Sequence, residues 1–576
     1  MIKVENLSFS FPEKDLYHKI SFTLEDNQHC AFIGTSGSGK STLLDMIMDP
    51  EKYLYDGKIN SSSDCTIGYV SQFATLDNAN ELTVFKYIGE KFIQLQEELA
   101  SLCTQMETST DFDSLLEKYQ QILDSYQAIG GDDFESNIHR KLNLANLGNQ
   151  EQQLVSKLSS GEFKLIQVIK EMLTAPDILL MDEPDVFLDF ENLNSLMNLI
   201  NSYQGILLVV THNRYLLNHC FNKILHLENN ELQEFDGTYI DYNVSLLQRK
   251  IELQELAAAD TEELERNEMI IENLRNAASN HPEASRGKSL KARIKFRDRL
   301  EARRIKEPFV TIKQPEICFA YFDVEETVAL KVKDYSVAFE DTLLEHIDFE
   351  IKSTDKVAIV GSNGTGKTTL LRDIFHHNHT SIDLNKTFKT AFLSQQPGEV
   401  LNESHTVKEE LFDAGFQTLK EIQSHLSKFG LEEEFMCRKI GSLSGGEKNM
   451  LQLAKISTMK VNLLLLDEPT SHLDTYSQIA LEKALNEYKG AVLMVSHDFY
   501  SIVNCMDYIL LIEDKTIRKM SIRSFRKMIY ANHFDKEYLE IEQKKKAVET
   551  KIELALKDND FTRAKVLFEE MEGNYT

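Results

Sequence analysis

The sequence predicts an α/β fold in which one phosphate-binding domain occurs twice along the chain. Five motifs recur in the same order in both halves: a glycine-rich loop ending in Gly-Lys-Ser or Gly-Lys-Thr, a glutamine, Leu-Ser-x-Gly-Glu, Asp-Glu-Pro and a histidine. Some spacings also match, because Ser159 to Glu183 and Ser444 to Glu468 both span 24 residues. From each of these glutamates to the histidine is 29 residues. One such loop arises by chance, whereas two complete sets predict a duplicated nucleotide-hydrolysing module.

Composition limits the class of protein. A length of 576 residues suits two to four domains, and no apolar run approaches the ~18 residues of a membrane helix. Glu5, Glu13 and Asp15 interrupt any signal-peptide pattern at the N-terminus. The seven cysteines are scattered, odd in number and form no Cys-x-x-Cys motif. They indicate reduced thiols and predict a cytoplasmic protein without a disulfide framework.

The net charge of −29 argues, taken alone, against a nucleic-acid-binding protein. One segment, 286–306, is nevertheless strongly basic, with only Asp298 and Glu301 opposing ten cations. These cations are Arg286, Lys288, Lys291, Arg293, Lys295, Arg297, Arg299, Arg303, Arg304 and Lys306. We interpret the segment as a functional cationic surface; the alternative is an ordinary solvated helix face.

The first domain is predicted to cover residues 1–236. An apolar strand at 30–33 runs into the glycine loop and a helix follows, which is the context that a phosphate-binding loop needs. The second copy repeats this pattern from 357. Buried strands are predicted at 178–181 and 463–466, each ending in Asp-Glu, and at 207–210 and 492–495, each ending just before the motif histidine. Apolar runs alternating with helical patterns indicate a mostly parallel sheet covered by helices.

The first domain carries an insertion. The interval from loop lysine to signature serine is 119 residues in the first copy and 77 in the second, so about 42 extra residues lie in the first. Apolar residues recur at helical spacing within 82–144 and predict two antiparallel helices joined near Thr108. We expect a protruding arm that contacts a partner; the alternative is a helical subdomain packed on its own domain.

A linker at 237–322 joins the two domains. Between 240 and 306 we predict a long helical hairpin that turns at 279–283, where Pro282 stops the first helix. The second hairpin helix carries the basic residues, and helices of ~30 residues would extend roughly 45 Å. The second domain is predicted at 323–530. Residues 531–576 form a charged helical tail, either a small coiled coil or a frayed terminus.

The glycine loops predict the nucleotide contacts. Backbone N–H groups of such a loop surround phosphates, and the loop lysine neutralises their charge. The first set is Gly34, Ser36, Gly37, Gly39, Lys40, Ser41 and Thr42, and the second is Gly361, Asn363, Gly364, Gly366, Lys367, Thr368 and Thr369.

The remaining motif residues predict catalysis with Mg²⁺. The hydroxyls of Ser41 and Thr368 suit the metal, as do Asp182 and Asp467 at the ends of buried strands, and Gln72 and Gln395 would complete the metal shell. Glu183 and Glu468 follow these aspartates and are placed to polarise the attacking water. His212 and His497 are expected to reach the γ-phosphate; the alternative is an ordinary loop histidine.

By these motifs the chain resembles the ATP-binding cassette superfamily. The resemblance implies two P-loop ATP-binding cassette domains, with a helical arm inserted in the first and a helical hairpin linker between them. It also implies that each signature covers the nucleotide of the other cassette. Ser444 and Gly446 would then face Lys40, and Ser159 and Gly161 would face Lys367. Phe11 and Phe339 lie where the superfamily stacks an aromatic ring on adenine, although phenylalanines before a strand are often core residues.

Two cassettes without a membrane segment, a hairpin linker and an insertion in the first cassette resemble the ABC-F family. The string Gly-Thr-Tyr-Ile-Asp-Tyr at 237–242 and the string Glu-Pro-Thr-Ser-His-Leu-Asp at 468–474 match its pattern. The resemblance implies that the protein binds the ribosome near its tRNA exit site and contacts ribosomal RNA and tRNA. We assign these contacts to the basic linker 286–306. The resemblance also implies that ATP closes the cassettes within a single monomeric chain and that the hairpin points towards tRNA.

The first cassette departs from the family pattern. Asp185-Val186-Phe187 replaces Thr-Asn-His, Thr211-His212-Asn213 replaces Ser-His-Asp, and Ser160 replaces a glycine. Since the catalytic residues remain, we predict two hydrolytic sites of unequal rate. The role remains open between housekeeping, relief of stalled ribosomes and antibiotic protection. Two alternative classes are the energising subunit of a membrane transporter and a DNA-repair or chromosome ATPase.

Overall fold

The computed structural model of the chain describes its residues with these exceptions: 13, 62–64, 73–80, 109–111, 187, 281–290, 300–314, 323–326, 340–341, 432, 534–547, 549–550, 553–554, 557–559 and 576.

Two sheets form the first cassette. The larger one has six strands in the order β5-β6-β7-β3-β8-β9, all parallel to their neighbours except the antiparallel pair β8 and β9. A three-stranded antiparallel sheet has the order β2-β1-β4. The strands are β1 (Ile2–Phe11), β2 (Lys14–Leu24), β3 (His29–Gly34), β4 (Asp56–Ser61), β5 (Ile67–Val70), β6 (Ile178–Asp182), β7 (Ile206–Val210), β8 (Lys223–Glu228) and β9 (Glu231–Asp236).

Helices cover this sheet and build the insertion. They are α1 (Lys40–Met48), α2 (Val84–Ile88), α3 (Glu90–Thr108), α4 (Phe112–Ala128), α5 (Phe134–Leu144), α6 (Ser160–Leu173), α7 (Phe190–Asn201) and α8 (Arg214–His219), with 3₁₀ turns at Gly131–Asp133, Gly148–Gln150 and Val155–Lys157. The helices α3 and α4 pack on each other. Tyr126 of α4 is buried, and its hydroxyl donates to Gly131 O at 2.5 Å.

The linker contributes α9 (Tyr239–Asn280) and a second helix, α10 (291–299). Residues 279 and 280 of the predicted turn end α9, whereas the rest of the turn and much of the basic segment fall in 281–290 and 300–314, outside the described residues. Within α10, Lys291, Lys295 and Arg299 are exposed.

The second cassette repeats the topology of the first. Its six-stranded sheet has the order β15-β17-β18-β13-β19-β20, and its antiparallel sheet has the order β12-β11-β14; β10 and β16 form a parallel pair. The strands are β10 (Ala320–Tyr321), β11 (Val328–Ala338), β12 (Thr342–Lys352), β13 (Lys356–Val360), β14 (Ile382–Leu384), β15 (Thr390–Leu393), β16 (Lys460–Val461), β17 (Leu463–Asp467), β18 (Ala491–Val495), β19 (Tyr508–Glu513) and β20 (Thr516–Ser521). The helices are α11 (Lys367–His376), α12 (Val407–Asp413), α13 (Leu419–Lys428), α14 (Gly445–Ser457), α15 (Thr475–Glu487), α16 (Phe499–Cys505) and α17 (Ile522–His533), with 3₁₀ turns at Pro397–Glu399, Glu433–Cys437 and Ile440–Ser442. This arrangement confirms the predicted α/β fold with two cassettes.

The local sequence explains why the signature helices begin where they do. Ser159 precedes α6 and accepts from the backbone N–H of Glu162, whose carboxylate accepts from Ser159 N at 2.8 Å. Ser444 and Glu447 form the same capping box before α14. A capping box satisfies two backbone donors at a helix start, so each Leu-Ser-x-Gly-Glu string fixes a helix N-terminus.

The tail contributes to a separate compact unit, made of residues 240–313 and 529–576. Ile251 of α9 is buried together with Ile552 and Phe568 of the tail, the latter on the C-terminal helix Phe561–Tyr575. Lys565 pairs with Glu255 at 2.6 Å. The tail therefore covers an apolar face of the linker helix.

Candidate functional site

Both glycine loops adopt the shape of a phosphate cradle. Gly37 and Gly39 have φ of 75° and 102°, in the left-handed region that favours glycine. A Cβ on Gly39 would lie 2.9 Å from the Tyr17 hydroxyl, so a side chain there would clash. Lys40 Nζ donates to Gly34 O and Thr35 O at 2.9 Å, which holds the ammonium within the loop.

The second loop has the same internal bonds. Lys367 Nζ donates to Gly361 O at 2.8 Å and to Ser362 O at 2.7 Å. Gly364 and Gly366 have φ of 79° and 88°. Both loops lead directly into a helix, so their amides and a helix N-terminus converge on one anion-binding position.

Each loop hydroxyl lies beside a strand-end aspartate. Thr368 Oγ1 donates to Asp467 Oδ1 at 3.1 Å, and the Ser41 hydroxyl bonds to Asp182. Asp467 Oδ2 is buried and has no hydrogen-bond partner among the described residues. Mg²⁺ prefers oxygen ligands of this kind, so the hydroxyl and the unsatisfied carboxylate oxygen fit the predicted metal.

The two motif glutamates have an unusual backbone. Glu183 and Glu468 have φ of 44° and 47°, a left-handed conformation that costs a non-glycine residue energy. The amide of Glu183 donates to Val210 O at 2.9 Å, and the amide of Glu468 donates to Val495 O at 2.9 Å. These bonds to the adjacent strand hold each glutamate immediately past its strand end, where it follows the aspartate that is predicted to bind the metal.

The Glu183 carboxylate has side-chain partners from both cassettes. Gln72 Nε2 donates to Glu183 Oε2 at 2.5 Å, and His472 Nδ1 lies 3.3 Å from the same oxygen. Gln72 belongs to the first cassette, whereas His472 follows β17 in the second. The predicted glutamine and glutamate of the first cassette are thus brought together, with a histidine that the motif analysis did not single out.

Glu468 has a different environment. Its Oε2 accepts from the backbone N–H of His497 at 3.2 Å, and His497 Nε2 lies 3.6 Å from Oε1. Within the described residues Glu468 Oε1 is buried without a hydrogen-bond partner. Gln395 is exposed and lines the same cavity as Glu468. The two motif glutamates are therefore held differently.

Burial governs the protonation of the aspartates and histidines. It raises the pKa of Asp182 and Asp467 to about 6, because a charged carboxylate loses its hydration. It lowers the pKa of His212 to about 4 and that of His497 to about 3. Both histidines are therefore neutral near pH 7.

The glutamates shift in opposite directions. Burial raises the pKa of Glu468 to about 8, and the neighbouring Asp467 carboxylate adds to the shift. Burial also opposes the ionisation of Glu183, but the hydrogen bond to His472 and nearby positive charges outweigh it, so the pKa of Glu183 falls to about 2. The surroundings of the two carboxylates thus shift their pKa values in opposite directions at two positions that are equivalent in sequence.

Each glycine loop also contacts the other cassette. Ser36 N donates to Asp474 Oδ2 at 3.4 Å, and Asn363 N donates to Asp189 Oδ2 at 3.2 Å. Each aspartate uses its other oxygen to cap its own helix, α15 or α7. A Cβ on Gly446 would lie 2.7 Å from Ser36 Oγ, so the second signature meets the first glycine loop at van der Waals distance.

A cavity of about 430 Å³ lies between the second glycine loop and the signature of the first cassette. The cavity is lined by Lys367, Thr368 and Glu468 of the second cassette. Ser160 also lines it; this residue of the first signature replaces the glycine of the family pattern. Both signatures therefore lie near the glycine loop of the opposite cassette.

A buried ion pair also joins the cassettes. The Arg214 guanidinium, 10% exposed, pairs with Glu482 and with Asp498, the latter at 3.2 Å. It lies over the Tyr500 ring, 4.6 Å from the centroid. Burial disfavours the charged guanidinium, but Asp498 and Glu482 outweigh that cost and raise the pKa of Arg214 above its ordinary value.

Two departures of the first cassette, Thr211 and Asp185, bond to each other. Thr211 Oγ1 donates to Asp185 Oδ1 at 2.7 Å. Lys164 is buried and donates to the carbonyls of Ser71 and Gln72, the latter at 3.1 Å. Burial lowers the pKa of Lys164 to about 8, and the Asp185 carboxylate is the largest influence in the opposite direction. The Thr211–Asp185 bond thus joins two of the departures, and the nearby Lys164 supports the backbone that carries Gln72.

The predicted adenine-stacking residues are accessible. Phe11 and Phe339 are 44% and 72% exposed, so neither side chain is part of the core. The structure leaves both rings free to contact a planar ligand, which is compatible with the role predicted for them. Phe11 lies edge-on to Phe9, with the ring centroids 4.9 Å apart.

The fold and these loops define a class of protein. A family model described as "ABC transporter" matches residues 17–186 and 344–471, and the chain belongs to that family. It carries two ATP-binding and ATP-hydrolysing cassettes. Among the residues that the structure describes, no helix has the length and apolar character needed to cross a membrane.

Two relatives refine this assignment. The chain is 28% identical over 545 residues to "ABC transporter F family member 2" of Arabidopsis thaliana, covering 89% of this chain and 76% of the relative. It is 28% identical over 518 residues to "Energy-dependent translational throttle protein EttA" of Escherichia coli (strain K12), covering 88% and 90%. The predicted ABC-F assignment is confirmed.

A solved structure supports the whole two-cassette fold. The archaeal ribosome recycling factor aABCE1, solved in complex with archaeal ribosomal stalk protein aP1, matches with a TM-score of 0.56 and 16% identity. The match covers 91% of this chain and 92% of that one. At this identity the similarity concerns the fold.

Motif reasoning missed three contributors to the site: His472, Lys164 and Arg214. One signal was present in the sequence, because His472 lies four residues after Glu468 and its counterpart four residues after Glu183 is Phe187. The replacement of a histidine by Phe187 was recognised from the sequence, but no role was inferred from it for His472, the histidine that the second cassette keeps. Phe187 itself lies outside the described residues.

Proposed function

We propose that the protein is a cytoplasmic, monomeric ATPase with two composite sites that binds the ribosome and acts on translation. The observation that carries the composite sites is the pair of contacts from each glycine loop to the opposite cassette, Ser36 to Asp474 and Asn363 to Asp189. Their near equivalence supports two nucleotide positions related by the duplication.

In the proposed site one, Lys40, Asp182 and Glu183 act with Ser444 and Gly446 of the second cassette. In site two, Lys367, Asp467 and Glu468 act with Ser159 and Gly161. The loop amides bind phosphate oxygens, and Phe11 and Phe339 offer surfaces for the base. The lysines shift from loop carbonyls to phosphate when nucleotide enters.

The chemistry follows from the order of groups at each strand end. Ser41, Asp182 and Gln72, or their counterparts Thr368, Asp467 and Gln395, would hold Mg²⁺, which would supply charge neutralisation at the phosphates. The following glutamate accepts a hydrogen bond from the attacking water and orients it. His212 and His497, neutral near pH 7, present a ring nitrogen to the γ-phosphate position.

Ribosome binding rests on the relative named a translational throttle protein and on the basic linker. Lys291, Lys295 and Arg299 recur every four residues on α10 and are exposed. They form one helix face about 12 Å long. A local cationic surface binds nucleic-acid phosphates even on an acidic protein, because screening limits the reach of the distant charges.

The first test is co-sedimentation of a Glu183→Gln, Glu468→Gln protein with ribosomes. Blocking hydrolysis should trap the ATP-bound form, so we expect ATP-dependent pelleting. A protein that binds ATP but stays in the supernatant would contradict the translation role. Pelleting with membranes instead would favour the transporter-subunit alternative.

A second test concerns the linker surface. Changing Lys291, Lys295 and Arg299 to Gln should weaken ribosome binding and lower the slope of log affinity against log salt by about 2 to 3. The control changes three exposed lysines of the second cassette, Lys420, Lys483 and Lys489, by the same charge. Equal effects in the two variants would show a general charge effect and refute the linker assignment.

A further inference from the structure

The side chain of His472 belongs to the second cassette but contacts side chains of the first. It follows Glu468 in the second cassette but touches the reactive glutamate of the first. Its Nδ1 lies 3.3 Å from Glu183 Oε2 and 3.3 Å from Gln72 Nε2, and Gln72 Nε2 lies 2.5 Å from the same oxygen. Three side chains thus meet at one carboxylate oxygen.

The backbone around His472 is held firmly by its own cassette. His472 has φ of 59°, in the left-handed region. Asn449 of the signature helix α14 donates to Pro469 O at 3.0 Å and to Ser471 O at 2.9 Å. On the far side, Gln478 of α15 donates to Leu473 O at 3.0 Å. The loop that carries His472 therefore moves with the signature helix.

The signature also makes room for the ring. A Cβ on Gly445 would lie 3.1 Å from His472 Cγ and Cδ2, so a side chain there would press on the imidazole. A Cβ on Gly446 would lie 2.5 Å from His472 O and 2.7 Å from Ser36 Oγ. The signature glycines hence contact His472 on one side and the first glycine loop on the other.

The sequence offers site two no counterpart of the His472 imidazole. The residue that corresponds to His472 is Phe187, which has no hydrogen-bond donor in its side chain. Glu468 Oε1 is buried without a hydrogen-bond partner in the described part of the chain. Both sites have therefore kept the glutamate, but only one cassette has kept a histidine four residues after it, and that histidine, His472, contacts the glutamate of the opposite cassette.

From this geometry we infer that His472 is a positioning residue acting across the interface: it orients Glu183 for hydrolysis at site one only when the second cassette is closed on that site. The inference rests on the proposed composite sites. The Nδ1–H group donates to Glu183 Oε2, while Gln72 fixes the same oxygen from within the first cassette. When the signature withdraws, His472 withdraws with it, and Glu183 loses one of its two side-chain supports.

The test uses the full chain with site two silenced by Glu468→Gln, and measures ATP hydrolysis in a single turnover. His472→Ala should slow the single-turnover rate constant about 10- to 100-fold with little change in the ATP concentration for half-saturation. His472→Asn should restore most of the rate, because its amide places a donor near the position of Nδ1. Gly445→Ala should slow hydrolysis less than His472→Ala, because the added methyl group displaces the imidazole ring but does not remove its N–H donor.

The comparison is the same His472→Ala change in a Glu183→Gln protein, where only site two hydrolyses. Equal losses in the two backgrounds, or a loss that His472→Asn fails to restore, overturn the inference. A Glu468→Gln protein with intact His472 that hydrolyses no ATP refutes the proposed hydrolytic site one itself. Hydrolysis at site one that is insensitive to His472→Ala overturns only the positioning role.

Discussion

Removing Arg214 should loosen the contact between the cassettes. Its guanidinium pairs with Glu482 and Asp498, whose side chains are only 6% and 18% exposed. Deleting one member of a buried ion pair leaves the other charges without compensation and costs about 3–5 kcal/mol. Glu482 would keep a bond from Asn504 at 2.9 Å, and Asp498 would keep one from Ser501 at 2.6 Å. We therefore expect the lower end, about 3 kcal/mol.

The location of the pair determines what is lost. Arg214 belongs to the first cassette and both carboxylates to the second, so the energy stabilises association rather than either cassette alone. A loss of about 3 kcal/mol lowers the ratio of associated to separated cassettes roughly 100-fold. Arg214→Met keeps much of the side-chain volume and removes the charge.

The assay takes advantage of a chain without tryptophan. Phe190 of the first cassette packs against Phe525 and His497 of the second, with ring centroids 5.9 and 6.0 Å away. Phe190→Trp therefore supplies one fluorophore at the interface, and its emission during urea titration reports cassette separation. Arg214→Met should lower the urea midpoint of that transition.

The control is Lys52→Met, which breaks an exposed pair with Asp45 whose side chains are 52% and 35% exposed. Such pairs contribute about 0–1 kcal/mol, so the midpoint should barely move. The double variant Arg214→Met, Glu482→Gln should lose less than the sum of the single changes, because it removes two interacting charges together. An Arg214→Met midpoint that matches the Lys52→Met midpoint would refute the reasoning.

Three further outcomes follow from the structure. Lys164→Met removes the cation that bonds the Gln72 carbonyl, so single-turnover hydrolysis in the Glu468→Gln background should slow; an unchanged rate would contradict this. Tyr17→Phe removes the hydroxyl that donates to Gly39 O, at a cost of about 1 kcal/mol, and calorimetry should show weaker ATP binding in the same background. Deleting residues 534–576 uncovers the apolar face of α9, so limited proteolysis should cut α9 faster while ATP binding persists; equal resistance would argue against the packing.

The cassette fold was predictable because its strongest signals are local. The apolar runs ending in Asp182-Glu183 and Asp467-Glu468 are buried strands. Because both faces of such a strand are buried, its sequence is a continuous run of apolar residues. The conformation of the glycine loops was likewise predictable from their sequence, because Gly39 and Gly366 adopt left-handed φ angles that other residues avoid.

The contacts between cassettes were not predictable in the same way. His472 and Glu183 are 289 residues apart, and their meeting depends on how two finished domains pack. From the sequence alone Arg214 is an ordinary residue at the start of a helix, because its partner Glu482 lies 268 positions further along the chain. No periodicity or motif spacing encodes such pairs, although the unequal residues of the two repeats mark where to look.

The tail shows the same limit. Ile552 and Phe568 lie in a charged sequence that left a coiled coil and a frayed end equally open. Their partner is Ile251 on the linker helix, and the three side chains are 0%, 6% and 2% exposed. The burial of an apolar residue is decided by its partner, and here that partner precedes it by some hundreds of residues.

This arrangement has a consequence for synthesis. Ile251 leaves the translating ribosome about 300 residues before Ile552. At roughly 5–20 residues per second, α9 waits about 15 to 60 s for its apolar cover. The linker of a newly made chain is therefore completed only after both cassettes have been synthesised, and a chain that terminates early, even with both cassettes intact, would carry an exposed hydrophobic surface that chaperones and proteases recognise.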